Sequence, residues 1–196
     1  MKKKIVCFIA VAMYLNSFSE MIFETDFEKS FQSAVNKPVL MDGKARSGVS
    51  VSALDKGKGV SNFKIEISDT SSRYAGITAT DLPSDLKSAI SKDAYMEFTI
   101  TSDNPLALQK IKFSMMKHGF VQYAGITLRS SLDGYSTDLL TIANKAKPGV
   151  YPGTADLSAV KGFDAVKSVT FRFYLASEYK EGKGNRKLGI DNIQIQ

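Results

Sequence analysis

The chain has 196 residues, with 26 Lys and Arg against 20 Asp and Glu, one Cys, one His and no Trp, and a formal net charge of +6. Three of the positives precede an apolar leader; without them the net charge is about +3, and the remaining positives are scattered singly or set in loops, which excludes a nucleic-acid footprint. A single His and a single Cys exclude a typical structural zinc site, and with Cys7 inside the leader no disulfide is left to form.

Lys2, Lys3 and Lys4 lead into an apolar run from Ile5 to Leu15, and Ser17-Phe18-Ser19 supplies a small-x-small cleavage pattern before Glu20. The pattern predicts a secretory signal over residues 1–19 and a single mature domain over residues 20–196. A run of about 11 apolar residues is too short for a bilayer core that needs roughly 20 in a helix. The expectation is a secreted or periplasmic protein with no membrane insertion after cleavage.

Period-two alternation dominates the mature chain. Met96, Phe98 and Ile100 share one face opposite Tyr95, Glu97, Thr99 and Thr101. Ile111, Phe113 and Met115 do the same against Lys110, Lys112 and Ser114, and Ala124, Ile126 and Leu128 against Gly125, Thr127 and Arg129. Val169, Phe171, Phe173 and Leu175 repeat it against Thr170, Arg172 and Tyr174. Each pattern predicts a strand with one buried face. Further strands are expected over Met21 to Phe27, Gly48 to Leu54, Phe63 to Ser68, Leu139 to Ala143 and Leu188 to Gln196, separated by clusters of Gly, Pro, Asn, Asp and Ser. In the last of these the apolar phase slips between Ile190 and Ile193, which predicts a bulge at Asp191-Asn192.

One short helix is expected from Asp85 through Ile90, capped by Ser84. The segment from Asp55 to Asp93 is poor in apolar residues outside the Phe63 strand and reads as a long excursion. Eight or nine strands with at most one short helix predict an all-β fold: a two-sheet antiparallel β-sandwich, jelly-roll-like in architecture.

Several pieces carry a resemblance. Leu128-Arg-Ser-Ser-Leu-Asp-Gly-Tyr135 resembles the LRSSLDGF-like strand end of a poorly characterised domain that recurs in secreted bacterial surface and sorting-signal proteins. Ala94 to Ile100 is similar to that family's aromatic strand, and Val169 to Tyr174 followed by Leu188 to Ile193 looks like its closing pair. The resemblance covers residues 48 to 196 and implies a jelly-roll-like sandwich akin to carbohydrate-binding modules, with no established activity. No sorting helix follows the last strand, and the expectation is a module that acts alone.

Asp133-Gly134 is accounted for by a tight hairpin, since Gly supplies the positive φ such a turn requires. The functional reading beside it is a binding rim in which Arg129, Asp133 and Tyr135 present a charged and aromatic tip to a ligand. Jelly-roll carbohydrate-binding modules, which the chain resembles loosely, often clamp a structural calcium between a late Asp and an early acidic strand. That resemblance implies Asp191 with Glu24 and Asp26, and Glu28 nearby, as ligands of a structural calcium. The plainer reading of Asp191 is a carboxylate that accepts backbone amides in a bulge.

His118 follows a strand, with no Gly-x-Ser-x-Gly elbow anywhere in the chain, so it reads as a loop residue rather than a general base. Glu97, Asp103, Asp133, Asp138 and Asp156 are available to a paired-carboxylate hydrolase, but their separations cannot be read from sequence. Gly57-Lys58-Gly59 and Gly182-Lys183-Gly184 lack the Walker spacing and read as turns. The identical pentapeptides at Tyr74–Thr78 and Tyr123–Thr127 have divergent flanks and do not form a repeat.

Three classes of function remain. The first is a secreted noncatalytic binding module for a polysaccharide or cell-surface glycan, with Tyr123, Tyr135, Tyr151, Tyr174 and Tyr179 as stacking faces. The second is a structural or adhesive protein of the envelope or matrix with no small ligand. The third is a carboxylate-dependent hydrolase, the least supported of the three.

Overall fold

The computed structural model describes residues 20–27, 37–67, 75–117, 123–143, 147–178 and 188–196. In chain order its strands are β1 (Phe23–Thr25), β2 (Lys44–Ala45), β3 (Val49–Val51), β4 (Asp55–Lys56), β5 (Asn62–Ile67), β6 (Ala75–Thr80), β7 (Tyr95–Leu106), β8 (Lys110–Lys117), β9 (Tyr123–Ser130), β10 (Leu140–Ile142), β11 (Gly149–Asp156), β12 (Val166–Glu178) and β13 (Leu188–Ile195). One helix, α1 (Leu86–Ser91), precedes β7. The expected signal segment, His118, Tyr179, Glu28 and the Gly182-Lys183-Gly184 turn lie outside the described residues.

All strand pairs are antiparallel and fall into two sheets, as the alternation predicts. The first runs β11-β8-β13-β1-β2, with β6 beside β13 and β5 beside β6; the second runs β10-β9-β12-β7-β3, with β4 also on β7. Met96, Phe98 and Ile100 from β7, Phe171 and Phe173 from β12, and Ile111, Phe113 and Met115 from β8 are all buried between the layers. Phe113 and Phe173 meet edge to face with ring centroids 4.9 Å apart, joining the two sheets directly.

The bulge expected at Asp191-Asn192 is present. The β13–β8 register shifts between Asp191 and Gln194, and Asn192 takes a positive φ of 52°. Its position has a topological reason. On the opposite edge of β13, residues Leu188 to Ile190 pair with β6 and residues Ile193 to Ile195 pair with β1, so the irregularity falls where one partner gives way to the other.

Several expectations are corrected. The sandwich has thirteen described strands rather than eight or nine, because β6 and β11 carry Gly, Thr and Pro in place of an apolar alternation and because β2 and β4 are only two residues long. The excursion from Asp55 to Asp93 holds the expected Phe63 strand, as β5, and the expected helix, as α1, and adds β4 and β6, which pairs with β5. The helix is capped by Asp85, not Ser84, since the Asp85 carboxylate accepts the Ser88 amide at 2.8 Å. Asp133-Gly134 does lie between two antiparallel strands, β9 and β10, but the connection is longer than a tight hairpin. Ser131–Asp133 forms a single 3₁₀ turn, closed by Gly134 at φ 68°. Finally, β9 is not half-exposed: Gly125 and Thr127 are buried on the side predicted to face solvent, and the Tyr123 ring lies across Gly125, whose Cβ would come within 2.6 Å of the Tyr123 hydroxyl.

Candidate functional site

The outer face of the second sheet is built from the residues that alternate with the core. Register places Asp55 opposite Glu97, Glu97 opposite Arg172, and Arg172 opposite Arg129, a charged row crossing β4, β7, β12 and β9. At about 4.8 Å per strand spacing this row is roughly 14 Å long. On one side of it runs a hydroxyl row: Thr99 Oγ1 and Thr170 Oγ1 are 2.8 Å apart, the Thr99 amide donates to Ser52 Oγ at 2.9 Å, and the Thr170 amide donates to Ser131 Oγ at 3.0 Å. On the other side Tyr95 pairs with Tyr174 and Tyr174 with Thr127, whose hydroxyl lies 2.7 Å from Thr141 Oγ1.

Arg172 is the centre of this face. Its Nε donates to Glu97 Oε2 at 2.7 Å, and its guanidinium carbon lies 4.1 Å from the Tyr95 ring centroid and 3.8 Å from that of Tyr135. Tyr95 in turn meets the buried Tyr174 edge to face at 5.4 Å. Partial burial pushes the Tyr95 phenol up, helped by the Glu97 charge, so the hydroxyl stays protonated over the physiological range. Gly57 makes room for this ring: a Cβ there would sit 2.1 Å from the Asp93 carbonyl and 2.8 Å from the Tyr95 ring. The Gly57-Lys58-Gly59 segment is a turn, as expected, and also supports Tyr95.

Of the sequence-predicted rim, Arg129, Asp133 and Tyr135 do come together, at the end of β9. Arg129 donates to Asp138 Oδ1 at 2.6 Å and to the Tyr135 carbonyl at 2.8 Å. Asp133 folds back on its own loop, accepting the Ser136 amide at 3.2 Å, the Ser136 hydroxyl at 3.0 Å and the Thr137 amide at 2.9 Å. These contacts hold Tyr135 at a φ of 62°, an unusual conformation for an aromatic residue, and aim its ring at Arg172. Asp133 is therefore a positioning residue for Tyr135.

Slight burial raises the Asp133 pKa, but its hydrogen bonds to Thr137 and Ser136 outweigh this and hold it below the ordinary 3.8. A carboxyl with a lowered folded-state pKa contributes stability that is present above the ordinary value and is lost as pH falls through the folded-state value. The Ser136 and Thr137 amide resonances should therefore titrate with a midpoint below 3.8 in the wild type and stay flat in Asp133→Asn. A midpoint at or above 3.8 would contradict the assignment.

Glu24 and Asp26 line a cleft of about 320 Å³ with Asp42 and Lys44 beside β1. Asp191 is buried, and its Oδ1 accepts the Asn192 amide at 2.7 Å, the bulge role read from sequence. Among the described residues no group of three or more His, Cys, Asp and Glu side chains is placed to hold a metal ion.

The described tyrosines among those expected as stacking faces do not form one platform. Tyr123, Tyr135 and Tyr151 are half-buried, and Tyr174 is buried. Tyr95, Glu97 and Arg172 were legible only as the solvent side of two strands. The available signal was the spacing Tyr95-x-Glu97 and Arg172-x-Tyr174, aromatic and charged residues two apart on one face. No described helix is long and apolar enough to cross a membrane.

No family model and no curated protein matches the sequence. Similar solved structures include a family 11 carbohydrate-binding module from Clostridium thermocellum in complex with a β-1,3-1,4-mixed-linked tetrasaccharide, at 17% identity, covering 83% of this chain and 96% of that one with a TM-score of 0.39. The CBM22-1 xylan-binding domain of Paenibacillus barcinonensis Xyn10C is similar at 12% identity, 90% and 94% coverage and a TM-score of 0.42. The K2 cleaved adhesin domain of Lys-gingipain is similar at 12% identity, 88% and 98% coverage and a TM-score of 0.37. At these identities and TM-scores the likenesses carry no argument about ligand or activity. The class defined by the coordinates themselves is an all-β sandwich with a polar and aromatic face on its second sheet.

Proposed function

We propose that the protein is an exported, noncatalytic module that binds a glycan on the outer face of β7, β12 and β9. The observation that carries this reading is the Tyr95–Arg172–Tyr135 stack flanked by the Thr99 and Thr170 hydroxyls. A sugar ring has an apolar C–H face and a rim of hydroxyls that both donate and accept. A fixed aromatic edge beside paired hydroxyls, guanidiniums and carboxylates offers partners for each of these. The strained Tyr135 backbone adds support, because such conformations persist where the surroundings over-determine them and cluster at ligand clamps.

The test is affinity electrophoresis of the purified protein through gels containing soluble polysaccharides, beside Tyr135→Ala, Tyr95→Ala and Asp133→Ala. Retardation by at least one polysaccharide is expected, abolished in Tyr135→Ala and Tyr95→Ala and weakened in Asp133→Ala. Retardation unchanged in all three variants would move the site off this face. The structural or adhesive reading has one observation in its favour: both arginines are already paired within the face. Absence of retardation across the panel would select it.

A further inference from the structure

The charged row carries information about which glycan. Arg129 and Arg172 are direct cross-strand neighbours, an arrangement of like charges that is unfavourable unless each is neutralised. Each is: Arg129 by Asp138 at 2.6 Å and Arg172 by Glu97 at 2.7 Å. Exposure within the two pairs is uneven. The arginine side chains are 16% and 22% exposed and their carboxylate partners 46% and 29%, so in each pair solvent reaches the acid more than the arginine. Asp55 continues the row opposite Glu97, and Asp133 is exposed on the adjoining loop. Lys56, the cation nearest Asp55 in sequence, turns its Nζ to the Val60 and Ser61 carbonyls instead. The face thus sets Asp55, Glu97, Asp133 and Asp138 against two arginines and carries an excess of negative charge on a chain whose formal total is +6.

We infer that this face selects uncharged polysaccharides and turns away polyanionic ones, with Glu97 and Asp138 as the residues that set the selection. The inference rests on the glycan-binding reading and goes one step further. An uncharged sugar hydroxyl can donate to a carboxylate and accept from the guanidinium beside it, so each ion pair serves it without being broken. A uronate or sulfate must either displace Glu97 or Asp138 from its arginine or lie against an acid of its own sign.

The experiment measures retention of the wild type, Glu97→Gln and Asp138→Asn on gels of neutral glucans, xylans and galactans and on gels of polygalacturonate. It is run at about 0.15 M salt, where screening over about 8 Å suppresses the scattered lysines. The wild type is expected to be retained by a neutral polysaccharide and far more weakly by polygalacturonate. Each amide variant uncovers one guanidinium and should gain polygalacturonate retention by roughly tenfold. Circular dichroism checks that both variants are folded, and two separate positions guard against the failure of one. Wild-type retention on polygalacturonate at least equal to that on the neutral gels would overturn the selectivity and leave the glycan reading standing. No gain in either folded variant would also overturn it. Wild-type retention on no gel would remove the glycan reading itself, and the selectivity with it.

Discussion

Phe173→Ala is expected to cost about 3–5 kcal/mol of folding stability, the range for a fully buried aromatic truncated in a core. Phe173 is completely buried, stacks on Phe98 of the neighbouring strand at 6.1 Å and meets Phe113 of the opposite sheet at 4.9 Å. Its ring therefore joins two strands within one layer and the two layers to each other. Its ring neighbours Phe98 and Phe113 sit on β7 and β8, strands held by pairing, which limits collapse into the hole. Typical domains are stable by about 5–15 kcal/mol, so roughly a fifth or more of the total goes with one ring. For a chain of this size the loss corresponds to a fall in Tm on the order of 10 °C. Urea titration should show a lower midpoint at unchanged slope, and Phe173→Leu should cost far less. A loss below about 1 kcal/mol would mean that Phe173 does not bridge the layers as described.

Arg172→Ala is expected to damage both stability and binding. It removes one guanidinium from two tyrosine rings and leaves Glu97 on the face without its ion-pair partner. Two cation–π contacts and one partly exposed ion pair together suggest about 2 kcal/mol, discounted for the solvent that still reaches both side chains. The more telling consequence is local. With no Trp in the chain, near-ultraviolet circular dichroism reports tyrosine and phenylalanine alone, and the Tyr95 and Tyr135 signals should collapse in Arg172→Ala. Arg172→Lys separates charge from shape. An ammonium can keep the Glu97 pair but cannot lie flat between two rings, so stability should largely return while the tyrosine signal and polysaccharide retention do not. Full recovery of all three in Arg172→Lys would reduce the site to simple charge pairing.

The layers of the sandwich were legible because their inner faces obey a local rule. Met96, Phe98 and Ile100, or Val169, Phe171 and Phe173, announce a strand wherever they are read, since every second side chain points the same way. What the sequence concealed is non-local. The strand Ala75–Thr80 has only Ala, Gly, Ile and Thr to show, and pairs with β5 and β13 through backbone groups that every sequence possesses. The burial of Gly125 and Thr127 depends on what lies over β9, which no window around β9 contains. The site divides in the same way. Arg129, Asp133 and Tyr135 are close in sequence and were legible together as a loop rim. Tyr95 and Glu97 reach Arg172 only through the β7–β12 register, fixed by pairing across some seventy-five positions of chain.

The two-partner edge of β13 also bears on how the protein folds. β13 joins β8 on one side and both β6 and β1 on the other, and Phe23 pairs with Ile195 across nearly the whole chain. Such distant closures slow folding, because the entropy of loop closure is paid before the contacts return it. Until that strand docks, β8 and β6 display open hydrogen-bonding rims to any other nascent chain. Crowded synthesis should therefore yield aggregates seeded at these rims, and a peptide spanning Leu188 to Gln196, supplied in trans during refolding, should compete with the latch and slow recovery of the native sandwich.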